Sequence, residues 1–190
     1  MSLSVATRKL LLMTALVVAV VAAVTLAGPG ATADRKVRRA VAPVKDINGK
    51  LVATVTFKVQ ESGMIHVSVW GEKLPPGFHG FHIHAVGVCD RATKFMSAGG
   101  HLASSGQTHG GHDGDLPVLL VNGNGTARER VNTDRFGLKQ LLDVDGSAVV
   151  IHELPDNYAN IPDRYGTPDT TTLATGDSGG RIGCGVVDRG

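Results

Sequence analysis

A chain of 190 residues has room for one ordinary domain with a tail, not for two full enzymes. Its 42% hydrophobic and 19% charged residues exclude a disordered polyelectrolyte, and a formal net charge of +2 makes no general case for nucleic-acid binding. Glycine is abundant at 25 residues while aromatics make up 4%, a balance that suits short strands joined by turns better than a helical bundle.

At the N-terminus, Arg8 and Lys9 precede an apolar run from Leu10 to Ala27, interrupted only by Thr14 and Thr25. Gly28-Pro29-Gly30 then leads into the small-residue triplet Ala31-Thr32-Ala33. A positive start, an apolar middle and a small-residue exit mark residues 1–33 as a secretory signal, with cleavage expected after Ala33. The alternative is a retained membrane anchor, since the 18 residues 10–27 are long enough to span a bilayer. Residues 1–33 carry two of the 19 basic side chains and none of the 17 acidic ones, so the remainder is formally neutral. Residues 34–42, opening with DRKVRR, read as a flexible leader, and 43–190 as the folded domain. An exported chain pairs its cysteines, so the two present, Cys89 and Cys184, are expected to form a disulfide.

Period-two alternation dominates the body of the chain. A strand near Val41–Val44 turns through Asp46-Ile47-Asn48-Gly49 into Leu51–Gln60, where Leu51, Ala53, Val55, Phe57 and Val59 share one face. Glu61-Ser62-Gly63 is a turn, after which Ile65, Val67 and Val69 alternate with His66, Ser68 and Trp70. Further strands are expected over Phe78–His84, Val118–Val121, Thr126–Val131, Ala148–Glu153 and Ile182–Val187. Asn122-Gly123-Asn124-Gly125 is a hairpin signal between two of them. Residues 138–143 are ambiguous, and two long glycine-rich loops remain, about 85–115 and 154–180. The pattern describes an all-β antiparallel sandwich or barrel with two functional loops.

Seven of the eight histidines fall between positions 79 and 152, and His66 stands apart as an ordinary polar-face residue. His82 and His84 are two apart in a strand, so both imidazoles leave the same face while Phe81 and Ile83 point to the core. Imidazole is the common ligand for copper and zinc, and a strand holds a pair of them rigidly. His101, His109, His112 and Asp115 supply three imidazoles and a carboxylate within 15 residues, a donor set suited to a closed tetrahedral zinc site. His152 emerges from the separate apolar strand Val149-Val150-Ile151. Together they imply two neighbouring metal sites.

The motifs GFHGFHIH at 77–84, SAGGH at 97–101, HDGDLP at 112–117, VVIHE at 149–153 and GGRIGCGVV at 179–187 occur in that order. From about residue 43 to the C-terminus they resemble the copper–zinc superoxide dismutases, specifically the exported bacterial branch. The resemblance implies a Greek-key β-sandwich closed into a flattened barrel, a fold of which this family is itself a standard example. It implies one copper per subunit on His82, His84, His101 and His152. His101 would bridge to one zinc held also by His109, His112 and Asp115. Asp156 would link a copper ligand to a zinc ligand and fix ring orientation, while His79 stays structural. Arg181, three residues before Cys184, would guide the anionic substrate, and the disulfide would hold the metal loop and the arginine strand in one geometry.

The reaction implied is the dismutation of two superoxide anions with two protons to oxygen and hydrogen peroxide. One superoxide reduces Cu(II), a second reoxidises Cu(I), and His101 takes up a proton when copper is reduced. Such an enzyme would work in the periplasm, the cell envelope or outside the cell, protecting the envelope from oxidative attack. It would meet a membrane only through residues 10–27, and it would bind no nucleic acid. Monomer and homodimer remain equally open.

Two other readings fit the histidines taken alone. A zinc hydrolase or hydratase would use a similar histidine set with zinc-bound water as nucleophile, and predicts one zinc and no copper. A copper-buffering module predicts bound copper without turnover. Within the zinc set, His109 and His112 are only three apart, and Asp113 competes with Asp115 as ligand. Between Glu153 and Gly180 five acids (Glu153, Asp156, Asp163, Asp169, Asp177) accompany a single base, Arg164. Substrate guidance is therefore expected to rest on Arg181, with Arg164 second.

Overall fold

The structure, a computed structural model, describes residues 37–190; the expected signal or anchor over 1–33 lies outside the described residues. Strands β1 (Arg39–Asp46), β2 (Leu51–Val59) and β3 (Ile65–Gly71) form an antiparallel meander. β1 takes in residues 39–42, which the sequence assigned to the leader. Ala40 and Ala42 face the core and are fully buried, so apolar contact extends the strand towards the N-terminus. The turn into β2 is closed by Asp46, whose Oδ1 accepts hydrogen bonds from the Asn48 and Lys50 N–H groups. Along β2 the inward face runs Ala53, Val55, Phe57 as the alternation predicts, but Leu51 is exposed and Val52 buried. A bulge between Val44 and Lys45 shifts the phase there by one residue.

The remaining strands are β4 (Gly77–His79), β5 (Phe81–His84), β6 (Leu119–Val121), β7 (Ala127–Thr133), β8 (Ala148–His152), β9 (Arg181–Val186) and β10 (Asp188–Arg189). Among the described residues two single-turn α-helices accompany them, α1 (Leu138–Leu141), which resolves the ambiguous stretch, and α2 (Thr172–Thr175). The sheet order is β4-β6-β7-β3-β2-β1-β9-β8-β5, with β10 added to β1. Every pairing is antiparallel, and the result is a nearly closed Greek-key barrel.

The strand expected over Phe78–His84 is two strands. The Gly80 N–H donates to the Leu154 carbonyl, and the Gly80 carbonyl accepts from the His152 N–H. Diverted by these partners, the chain leaves one edge of the sheet as β4 and enters the opposite edge as β5.

The main core packs Val55, Phe57, Ile65, Val67, Phe81 and Ile83 from β2, β3 and β5. A second, smaller core lies under the first long loop, where Phe95 and Ala98 meet Ala148, Val150 and Cys184. Full burial of Phe95 alone contributes about 1.5–3 kcal/mol. The Cys89–Cys184 disulfide, with Cα atoms 5.7 Å apart, joins this loop to β9 as expected.

Candidate metal centre

β5 pairs with β8 so that His82 lies opposite Val150 and His84 opposite Ala148. His84, and His152 at the end of β8, each direct one ring nitrogen at a backbone carbonyl. The His84 Nδ1–H donates to Gly99 at 2.9 Å and the His152 Nδ1–H to Gly179 at 3.2 Å. With the protons so placed, the two Nε2 lone pairs face each other at 3.3 Å, an arrangement that a cation between them relieves. The His82 Nε2–H donates to Asp156 Oδ2 at 2.6 Å, and its Nδ1 is buried without a partner. Burial holds His84 well below its ordinary value, with the charges of His101 and Arg181 adding to the effect. Burial, then the His82 charge, lowers His152 to about 3. Both imidazoles are therefore neutral at ordinary pH, the form that binds metal.

The first long loop lays its backbone along the free edge of β5. Ala85 N–H donates to Gly100 and Leu102 N–H to Ile83, which sets His101 opposite His84. The His101 ring centroid is 4.0 Å from that of His82 and 4.9 Å from that of His84. Burial lowers His101 to about 4 despite its hydrogen bond to Asp115. One ligand nitrogen each from His82, His84, His101 and His152 lies within 4.8 Å of the others.

A second cluster converges on one oxygen. Asp115 Oδ1 lies 2.9 Å from His101 Nδ1, 3.4 Å from His109 Nδ1 and 3.3 Å from His112 Nδ1. The Nδ1 atoms of His109 and His112 are buried and have no hydrogen-bond partner, as expected of nitrogens that receive a metal ion. The loop reaches β5 at Gly114, whose carbonyl accepts from the Ile83 N–H and where a methyl group would run into the Ile83 carbonyl. By distance alone His82, His101, His109 and Asp115 also form a group. His82 has one free nitrogen and can serve only one cluster, which leaves His112 as the fourth donor here. Asp113, the competing carboxylate, is turned away, its oxygens accepting from Ser104, Gln107 and Gln140.

Asp156 joins the two clusters. Its Oδ2 takes the His82 bond, and its Oδ1 accepts from His109 Nε2–H and from the Tyr158 N–H, both at 2.7 Å. Burial works against both Asp115 and Asp156. For Asp115 it is outweighed by the hydrogen bond from His101 and by the His109 ring 3.4 Å away, and for Asp156 by the hydrogen bonds from His109, His82 and the Tyr158 N–H, so both stay well below the usual carboxylate range. Burial would also depress His109, but the neighbouring Asp115 carboxylate and the bond to Asp156 raise it to about 9. Gly176, the C-cap of α2 at φ +59°, sits so close that a methyl would overlap Asp156 and His109. Sequence reasoning missed this residue, whose one signal was a glycine closing a short helix.

His84, His101 and His152 open onto a cavity of 910 Å³ that Arg181 and Lys94 also line. The Arg181 guanidinium donates to the carbonyls of Phe95 and Gly99, both at 2.6 Å, and so is fixed by the loop above the smaller core. Arg164, the expected second cation, stacks on Tyr165 instead, 4.7 Å from the ring centroid, and is not among the cavity's lining residues. Lys94 takes that place, and it escaped the sequence reading because it belongs to none of the motifs. His79 is buried with its ring nitrogens at the carbonyls of His152 and Pro75, a structural role.

Four convergent imidazoles, joined through His101 to a cluster of imidazoles and one carboxylate on the edge of an antiparallel barrel, define a binuclear histidine metalloprotein. The copper/zinc superoxide dismutase family model matches residues 51–187, and the chain belongs to that family. It is 42% identical over 161 residues to the copper–zinc superoxide dismutase of Mycobacterium tuberculosis, covering 75% of this chain and 67% of that protein. Identity to the Escherichia coli K12 enzyme is 37% over 151 residues, covering 73% and 80%. A relative named extracellular superoxide dismutase, from Onchocerca volvulus, is 34% identical over 79% of this chain and 75% of its own. Among solved structures, a SOD-like protein from Bacillus subtilis superposes with a TM-score of 0.63 at 31% identity, over 77% of this chain and 96% of its own. The clock protein EA4 gives 0.66 at 29%, over 80% and 94%.

The chain is thus an oxidoreductase that dismutes superoxide with copper and zinc as cofactors. The hydrolase and copper-buffer readings fall with that result.

Proposed function

We propose that the chain carries out this dismutation outside the cytoplasm, protecting the cell envelope, with copper held by His82, His84, His101 and His152. Zinc is held by His101, His109, His112 and Asp115. The observation that carries this assignment is the facing pair of Nε2 lone pairs on His84 and His152, beside an unpartnered His82 Nδ1. Residues 1–33 act as the export signal, and the Cys89–Cys184 bond suits an oxidising compartment.

When bound, copper supplies the one-electron redox chemistry and zinc a fixed positive charge. The protein's own groups do the rest. Arg181 draws the anion down the cavity and offers it hydrogen bonds, a form of steering for which this family is a known example. Lys94 extends the positive field to the mouth. His101 holds a proton at its metal-facing nitrogen in one half of the cycle and releases it to the product in the other. In the metal-free chain its hydrogen bond to Asp115 already holds the ring in place. Asp156 fixes the tautomers of His82 and His109 together.

Arg181→Ile tests the guidance role. Turnover at low salt is expected to fall by roughly tenfold and to lose most of its salt dependence, with copper and zinc per chain unchanged. An unaltered rate and salt profile would remove Arg181 from the mechanism. Copper bound without zinc in the wild-type chain would leave the function standing and overturn the assignment of His109, His112 and Asp115.

A further inference from the structure

The two histidines of the second cluster that come only from the loop, His109 and His112, are separated by Gly110-Gly111. A two-glycine link has more conformational freedom to lose than any other, so something outside it must hold the turn. Within the turn, a single backbone bond from Gly111 N–H to Thr108 contributes. Outside it, His109 N–H donates to the Leu173 carbonyl, His109 Nε2–H to Asp156 and His112 N–H to Asp115 Oδ2. A further restraint, the one that joins both ends of the glycine pair, comes from the segment between β7 and α1. Arg135 donates through one guanidinium nitrogen to the His112 carbonyl at 2.9 Å and through another to the Gly110 carbonyl at 3.2 Å. Its planar fork therefore spans the turn between the two ligands. Its own base is set by an N–H bond to Thr133 Oγ1 at the end of β7.

The next residue along is pinned by the same segment. Gln140, on α1, donates to Asp113 Oδ2 at 3.0 Å, alongside Ser104 at 2.8 Å, while Gln107 donates to Oδ1 at 2.8 Å. Slight burial acts against the Asp113 carboxylate, but the bonds from Gln107, Ser104 and Gln140 and the Arg135 charge hold it below its ordinary value.

We propose that Arg135 is a positioning residue for the zinc site, acting through the Gly110 and His112 carbonyls to hold the His109 and His112 rings at the separation zinc requires. The proposal rests on the assignment of those histidines as zinc ligands. Charge and positioning make opposite demands on it. A guanidinium near a divalent cation repels it, so removing the charge alone would tighten zinc binding. Removing a positioning clamp loosens it.

The test uses the full chain with Arg135→Ala and Arg135→Lys. Zinc affinity is measured by chelator competition, and the visible spectrum of cobalt bound in place of zinc reports ligand geometry. Zinc affinity of the alanine variant is expected to fall by about 10–100-fold, with an altered cobalt spectrum and unchanged copper content. The lysine variant keeps the repelling charge but not the fork, and its zinc affinity is expected to fall at least as far as that of the alanine variant. It carries the test if the alanine variant does not fold. Zinc affinity that rises or stays within about twofold, with the wild-type cobalt spectrum, overturns the clamp. A wild-type chain that takes up no zinc would overturn the ligand assignment instead.

Discussion

The two halves of the metal centre are built on different principles. His82, His84 and His152 ride on paired strands, where the ladder between β5 and β8 sets their directions before any metal arrives. His109, His112 and Asp115 sit on a loop whose shape depends on side-chain contacts from elsewhere, namely Arg135, Gln140 and Asp156. Protonation divides them in the same way. Burial leaves His84, His101 and His152 neutral, whereas carboxylates draw a proton onto His109. A strand supplies geometry as a by-product of folding, whereas a loop needs a dedicated support for each ligand.

The most severe break in this contrast is His84→Ala. With its lone-pair partner gone, copper per chain and turnover are expected to fall to the level of the metal-free protein while zinc is retained. Metal analysis of the purified variant decides it, and parallel loss of zinc would mean that the halves are not separately built. Asp156→Ala comes next, since it removes the group that touches both. Zinc affinity is expected to weaken by about 10–100-fold and copper affinity by less, because His82 stays anchored in β5. A larger loss of copper than of zinc would reverse the ranking.

Acidity sharpens the comparison without mutation. Below about pH 9 zinc must displace the His109 proton, so its affinity falls roughly tenfold per unit as the pH drops. At the copper half, His101 and His152, lowered to about 4 and about 3, compete with protons only in strong acid. Dialysis near pH 5 is therefore expected to strip zinc first, as read by metal content against pH. In the metal-free chain the sign is opposite for stability. The raised value of His109 stabilises the fold below the unfolded value of 6.5, and that contribution is lost as pH rises through about 9. The smallest effect is expected of the loop-borne cation: Lys94→Gln should slow turnover about two- to threefold at low salt and not at all at high salt. An effect as large as that of Arg181→Ile would put the loop on a par with the strand.

Legibility in the sequence followed the same division. His82 and His84 were readable because a period of two is a local property of the chain, and the β2–β3 hairpin was readable for the same reason. The break at Gly80 was not, since its hydrogen-bond partners, Leu154 and His152, lie more than seventy positions away. The buried Val52 beside an exposed Leu51 depends on a bulge in the β1–β2 ladder, in which Val52 is the residue left without a partner. The turning away of Asp113 depends on bonds from Ser104, Gln107 and Gln140, the last on a helix that sequence pattern left ambiguous. Lys94 became visible only when the loop was folded over the cavity. Motifs picked out the candidate ligands through a family resemblance, while the supports had no motif to mark them.

The Gly99 carbonyl accepts from Arg181 on one lone pair and from His84 on the other. Donation to an oxygen already polarised by a guanidinium leaves less electron density for the ring, and ring basicity is one of the settings of a redox potential. Capture of the anion and the poise of the couple that consumes it therefore share an adjustable part. An evolutionary change that speeds encounter by moving the guanidinium also retunes the electron transfer, so the two traits drift together and selection on either one constrains the other.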